Sequence, residues 1–336
     1  MVIVLAIAGH HGKAHDGMPG CKRRMKVFRF FFSKKNDAEG LLFEKRSKNF
    51  YAFKGCDMES QAGRVRYLAL DGFHEMAFIE RGRAEAPVVV CVHGLTRQAH
   101  DFDRLAEALA ADFRVICPDL PGRGHSDWLS DPNLYQPQTC VTALSHLLAT
   151  LEGPVRWVGT SLGGICGMVL AAQPGTPISR MVLNDIGPFI PLAALARIRD
   201  YMLPPPEFQD IKALEAHLRV IHEPFGVPDD AAWAEMARHS SRPLPNGAVT
   251  LHYDPAIADP IRAQEPADVN LMAFWQKIAV PMLTIRGGRS DLLLAETLVE
   301  MERSGSRSLV IPEAGHAPAL MDEKTIAAIG AFLREV

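Results

Sequence analysis

From Arg64 onward, short apolar runs alternate with stretches of helical spacing, the pattern of a sheet with helices packed on its faces. Val65 to Leu70 and Glu75 to Glu80 predict an opening hairpin turned at Asp71-Gly72. Val88 to Val92 is an unbroken β-branched and apolar run, suited to a strand buried on both faces. Further strands are expected at Arg114 to Cys117, Val155 to Val158, Met181 to Leu183, Met282 to Ile285 and Ser308 to Ile311, which makes eight in all. Helical spacing or composition fills the gaps at Phe102 to Ala111, Gln138 to Leu151, Leu162 to Ala172 and Lys324 to Arg334. No internal repeat or low-complexity tract interrupts the series.

One interval breaks the alternation. About 95 residues separate the strand ending at Asp185 from the strand beginning at Pro281, and 12 of the 24 prolines lie between Gly187 and Gln276. Helical pieces at Leu192 to Met202, Ile211 to Ile221 and Asp230 to His239 are stitched together by prolines, which cannot sit inside regular helix. The pattern predicts a helical cap, residues 187–276, inserted after the sixth strand over the carboxyl edge of the sheet, where α/β folds place their ligands. Residues 58–186 and 277–336 then form the α/β core.

Charge adds a second boundary. The net charge of −3 over 336 residues hides an asymmetry: residues 1–57 hold 12 Lys/Arg against 5 Asp/Glu, and the remainder 24 against 34. The basic, aromatic-rich first part joins none of the downstream periodicity and is expected to be an N-terminal extension, disordered or outside the core. Its opening run, Met1 to Ala8, has no preceding basic residues and is too short for a secretory signal. The basic run from Lys22 to Lys35 interleaves with phenylalanines and offers, as the alternative, contact with an anionic membrane surface. No stretch approaches the length of a membrane span, so stable membrane insertion is not expected, and the near-neutral balance gives no attraction for nucleic acid. The six cysteines are widely spaced with no C-x-x-C pair, which predicts buried free thiols in a reducing, cytoplasmic setting.

The candidate chemistry centres on Gly159-Thr160-Ser161-Leu162-Gly163, which follows one predicted strand and opens an apolar helix. A nucleophilic serine needs this context: a tight strand-to-helix turn exposes Oγ, and small flanking residues let neighbouring backbone approach. The helix also directs unpaired amides and its positive end at the site. From here the sequence resembles the α/β-hydrolase family over residues 63–336. His93-Gly94-Leu95 is similar to the family's oxyanion turn, and Asp119-Leu120-Pro121-Gly122-Arg123-Gly124-His125-Ser126-Asp127 to its loop after the next strand. The elbow, the insertion, Arg286-Gly287-Gly288-Arg289-Ser290-Asp291 and Gly315-His316 follow in the family's order.

The resemblance implies an α/β-hydrolase fold, a mostly parallel eight-stranded sheet with helices on both faces, and a Ser-His-Asp triad. Ser161 is the expected nucleophile and His316 its base. Two aspartates compete to orient His316. Asp291 stands where the family commonly carries its acid and is the expected member, while Asp185, at the end of the preceding strand, matches the position some members use. The expected oxyanion donors are the backbone N–H groups of Leu95 and Leu162. His93 and His125 match site-framing positions, and the other histidines show no paired metal-ligand spacing, so no metal and no organic cofactor is expected.

A seryl nucleophile with a histidine base predicts hydrolysis of a small-molecule carboxylic ester through an acyl-enzyme. Serine at 161 argues against the family's dehalogenases and epoxide hydrolases, which resemble this architecture but use aspartate there. The triad does not separate esterase from carbon–carbon bond hydrolase, lactonase, amidase, thioesterase or acyltransferase chemistry. A non-catalytic ligand receptor is the remote alternative. Among the large apolar residues of the insertion, Trp233 and Trp275 are the candidates for an acyl or aryl pocket wall. Oligomeric state is not legible.

Overall fold

In the computed structural model the described residues are 61–202 and 204–335, so the expected extension at 1–57 lies outside them. The described residues begin with the hairpin β1 (Gln61–Ala69) and β2 (Gly72–Arg81), whose antiparallel register pairs Ala69 with Gly72. Gly72 has φ 134°, a conformation that favours glycine and closes this tight turn. There follow β3 (Val88–Val92), α1 (Asp103–Leu109), β4 (Arg114–Pro118), α2 (Pro137–Leu148), β5 (Val155–Thr160), α3 (Leu162–Ala171) and β6 (Ile178–Asn184).

The intervening segment contains β7 (Phe189–Ile190), α4 (Leu192–Tyr201), α5 (Ile211–Ile221), α6 (Asp230–Ser240), β8 (Ser241–Pro243), β9 (Val249–Leu251), α7 (Ala258–Ala263), β10 (Val269–Asn270) and α8 (Met272–Trp275). The chain then returns to the sheet with β11 (Met282–Gly287), α9 (Ala295–Arg303), β12 (Arg307–Ile311) and α10 (Glu323–Arg334). The main sheet has eight strands in the order β1-β2-β4-β3-β5-β6-β11-β12 and is parallel from β4 to β12. All eight predicted strands are present. The two small pairs inside the segment, β7 with β10 and β8 with β9, were not predicted, because two- and three-residue strands carry no readable alternation.

The central strands explain why their sequences are apolar without interruption. Along β3, Val88, Val90 and Val92 enter one hydrophobic core while Val89 and Cys91 enter the other. Leu144, Leu147, Cys166 and Met168 of α2 and α3 cover the first face, and Leu105, Leu109, Ile329, Phe332 and Leu333 of α1 and α10 cover the second. Successive side chains alternate across a strand, so burial on both faces demands an apolar residue at every position. Cys91, Cys117, Cys140 and Cys166 are buried free thiols within these layers, as their apolar settings predicted.

In the segment between β6 and β11, α5 and α6 start on side-chain caps: Asp210 accepts from Ala213 N–H and Asp229 from Ala232 N–H, each satisfying an otherwise unpaired first-turn amide. The segment is fastened to the core by backbone bonds, with Gly124 N–H donating to His252 C=O at 3.0 Å and Asp254 N–H to Gly122 C=O at 2.8 Å. Among the described residues no helix is long and apolar enough to cross a membrane.

Candidate active site

Ser161 stands between the last residue of β5 and the first of α3, with φ 49° and ψ −112°. Such a backbone costs a non-glycine residue on the order of 1–3 kcal/mol and persists only where its surroundings impose it. The flanking glycines show how they do so. A Cβ on Gly163 would lie 2.1 Å from Val92 O, and one on Gly159 would lie 2.6 Å from the Gly163 backbone. Strand and helix can therefore close on each other only with glycine at both positions, and Ser161 is carried to the apex.

The hydroxyl of Ser161 is 3.0 Å from His316 Nε2, and His316 Nδ1 is 2.7 Å from Asp185 Oδ2. This corrects the expectation for the acid. Asp291 instead makes a two-pronged ion pair with Arg197, at 2.6 and 2.8 Å, and its side chain is 52% exposed. Asp185 is fully buried directly after β6, at φ 54°. Its Oδ1 accepts from Gly287 N–H at 2.8 Å, and its Oδ2 accepts from Ser290 Oγ–H at 2.5 Å besides the imidazole. Buried carboxylate oxygens are costly unless hydrogen-bonded, and these donors satisfy them. The Gly-Gly-Arg-Ser-Asp motif does serve the site, but through Gly287 and Ser290, which hold an aspartate from the neighbouring strand.

The histidine loop is positioned from two directions. Gly315 N–H donates to Pro224 C=O at 2.7 Å and Ala319 N–H to Phe225 C=O at 2.8 Å, so backbone of the inserted segment supports both sides of His316. Asn184, the last residue of β6, donates to Thr160 Oγ1 at 3.0 Å and to Pro318 C=O at 2.8 Å. One buried amide thus links elbow, β6 and histidine loop. Nothing in the sequence marked Asn184, because its value lies in reaching two segments distant along the chain.

Leu162 begins α3, and its amide is among the first-turn donors that an α-helix leaves without an internal partner. The turn at Gly94-Leu95 lies against Ser161: a Cβ on Gly94 would be 3.6 Å from Ser161 Cβ. His93 shapes this turn, accepting from Leu120 N–H at Nε2 (2.9 Å) with Nδ1 2.7 Å from Gly94 C=O. Complete burial pushes its pKa down to about 3, so the ring is neutral at pH 7 and Nδ1 is the donor.

The sequence and the solved structures of other proteins agree with this architecture. Residues 89–328 match the model of the alpha/beta hydrolase family. The chain belongs to that family. This hydrolase is 39% identical over 277 residues to the 3-hydroxybutyrate-oligomer hydrolase of Cupriavidus necator, covering 79% of its own length and 94% of the relative's. It is 28% identical over 254 residues to an esterase of Mycobacterium tuberculosis, covering 70% and 79% of the two chains. A solved alpha/beta hydrolase from Novosphingobium aromaticivorans superposes with a TM-score of 0.73 at 35% identity, covering 82% and 99%.

In the hydrolase, both candidate pocket tryptophans are packing elements of the inserted segment. Trp275 is 4% exposed and donates its indole N–H to Ser304 Oγ at 3.0 Å, anchoring α8 beside the end of α9. Trp233 packs within the α5–α6 pair beneath the Arg219 guanidinium, 5.5 Å from the ring centroid. Arg97, two residues beyond Leu95, is buried. It pairs with Asp101 at 2.6 and 2.8 Å and approaches His222 Nε2 at 3.3 Å.

One group of three possible metal ligands comes together among the described residues, His100, Asp103 and His239. Its members already bond one another: His100 Nδ1 lies 2.8 Å and His239 Nε2 3.8 Å from Asp103 Oδ2, Asp103 Oδ1 accepts from Arg81 at 3.2 Å, and the two imidazoles stack at 3.8 Å with planes 19° apart.

Proposed function

We propose that this hydrolase cleaves carboxylic esters through an acyl-enzyme on Ser161, with His316 as general base and acid and Asp185 as the residue that fixes the imidazole tautomer. The single observation that carries this reading is the continuous relay from Ser161 Oγ through both His316 nitrogens to a buried, fully bonded carboxylate. With Nδ1–H donated to Asp185, Nε2 is left as the acceptor for the serine proton. The resulting imidazolium is stabilised by the adjacent anion and then protonates the leaving alcohol. The amides of Leu162 and Leu95 supply the oxyanion donors, since both border Ser161 and such donors stabilise the charge of the tetrahedral intermediate.

Residues 187–276 act as a cap in this reading. Support comes from the contacts of Pro224 and Phe225 with the histidine loop and of His252 and Asp254 with the loop after β4. Within ester chemistry, the 39% identity to a 3-hydroxybutyrate-oligomer hydrolase over nearly all of that relative favours short hydroxyacyl oligomers, whose repeat linkage is itself a carboxylic ester. The complete triad disfavours a receptor that binds without turnover.

Two assays test the reading. An organophosphonate should label Ser161 alone, and Ser161→Ala should lower kcat on p-nitrophenyl butyrate by several powers of ten. Release of 3-hydroxybutyrate from its linear dimer and trimer, followed by chromatography, checks the substrate class. Turnover of simple esters without cleavage of the oligomers would retain the chemistry and reject the oligomer.

A further inference from the structure

The loop after β4 fastens the turn that carries Leu95 at three points. Leu120 N–H donates to His93 Nε2 at 2.9 Å, Arg123 Nε–H to Leu95 C=O at 2.8 Å, and Ala99 N–H to Asp119 Oδ1 at 2.7 Å. The middle bond is the unusual one. It comes from a guanidinium only 2% exposed, which also donates through Nη1 to Pro121 C=O at 2.5 Å.

The local sequence forces this side chain inward. Gly122 and Gly124 have φ 81° and 50°, so the loop makes two left-handed turns around Arg123. A Cβ on Gly124 would run into the Asp119 carboxylate at 2.2 Å. From outside, Arg123 pairs in a backbone bridge with Tyr253 of the inserted segment.

The buried cation has no carboxylate within ion-pair distance among the described residues. Asp254, the acid whose field reaches it, is held by Tyr135 Oη–H at 2.5 Å, and the Tyr135 ring centroid lies 5.7 Å from the guanidinium carbon. Desolvating a guanidinium is costly, and two carbonyl bonds alone are a poor return for holding a loop together. A methionine of similar volume would fill the space more cheaply. The retained charge therefore points to the turn it touches.

We propose that Arg123 is a positioning residue for the oxyanion donor: by gripping the Leu95 carbonyl it fixes the Leu95 residue so that its N–H stays aimed beside Ser161 Oγ, with a buried positive charge behind the developing oxyanion. In the ground-state ester the carbonyl oxygen is only weakly negative, so the charge adds little to binding. In the tetrahedral intermediate the oxygen carries a full negative charge in a low-dielectric setting, where a fixed cation acts strongly. The effect belongs to kcat rather than to KM.

The inference rests on the Ser161 acyl-enzyme reading, and the experiment separates the two. Arg123→Met and Arg123→Lys are compared with wild type on one p-nitrophenyl ester. The same proteins are titrated with a trifluoromethyl ketone, which adds to the serine and places an alkoxide in the oxyanion site. Arg123→Met is expected to lose about 10- to 100-fold in kcat with KM within about threefold, scaled down from the loss of a direct oxyanion donor. Its ketone affinity should fall in step with kcat/KM. Arg123→Lys keeps charge without the planar fork and should fall between.

Folding is checked by thermal melting, and if Arg123→Met does not fold, the lysine variant carries the test with the same criteria. A folded variant whose kcat and ketone affinity stay within twofold of wild type overturns the proposal. So does loss confined to KM or melting temperature, which marks a structural clamp. Failure of a phosphonate to label Ser161 in the wild-type enzyme would instead overturn the underlying reading.

Discussion

The carboxyl end of β6 and the loop after β11 each present an aspartate on the way to His316, and the protein treats them in opposite ways. Asp185 is fully buried, receives a backbone amide and a serine hydroxyl, and meets the imidazole at 2.7 Å. Asp291 stays in solvent and pairs with Arg197. The two regions are cooperative rather than redundant, because the second supplies the Gly287 amide and the Ser290 hydroxyl that bond the Asp185 carboxylate. An acid that must orient a histidine needs low dielectric and satisfied lone pairs, and an exposed, screened ion pair offers neither.

The comparison can be broken most forcefully at its buried end. Asp185→Asn should lower kcat by on the order of 10³- to 10⁴-fold in folded protein, because the amide presents the wrong partner to Nδ1 and favours the wrong tautomer. Steady-state turnover of p-nitrophenyl butyrate, with circular dichroism as the folding control, measures it. Acid is the next probe. His93 is held neutral by burial down to about pH 3, whereas the unfolded chain takes up that proton near the ordinary histidine value of about 6.5. The unfolded state then binds more protons across that window. Stability should fall as pH drops from about 6.5 toward 3, by up to about 1.4 kcal/mol per unit from this group, and urea midpoints across the range read it.

Ser290→Ala should act more gently. It removes one hydrogen bond to a buried carboxylate that keeps its Gly287 and His316 partners, a loss of about 1.5–3 kcal/mol. Turnover is expected to fall by about tenfold with nucleophile labelling intact. Asp291→Asn should have the smallest effect, under about 1 kcal/mol in stability and less than twofold in turnover, since an exposed pair is worth little.

Much of this was legible in the residues. Val88–Val92 and the central strands declared a doubly buried sheet, and Gly159 and Gly163 around Ser161 declared a close strand-to-helix crossing, because both features are written in consecutive positions. The same holds for His316 after its glycine. The acid was misread as Asp291, which stands at the family's common position. What favours Asp185 is written only in space, since its Gly287 and Ser290 partners lie 102 and 105 residues away. Arg123 was hidden likewise, since an arginine between two glycines reads as a solvated turn until Leu95 is brought against it. Trp233 and Trp275 were large and apolar in the expected insertion, yet size alone does not tell an anchor from a pocket wall.

The central claim is a nucleophile at Ser161 activated through His316 by Asp185, and the rate of phosphonylation tests it without dependence on the natural substrate. Wild-type, Asp185→Asn and Asp291→Asn proteins are mixed with an excess of a p-nitrophenyl phosphonate, nitrophenolate release is followed, and the modified residue is located by peptide mass spectrometry. The account predicts modification of Ser161 in each, at wild-type rate in Asp291→Asn and slowed by orders of magnitude in Asp185→Asn. Modification of another residue, or slowing by Asp291→Asn with Asp185→Asn unaffected, would contradict it.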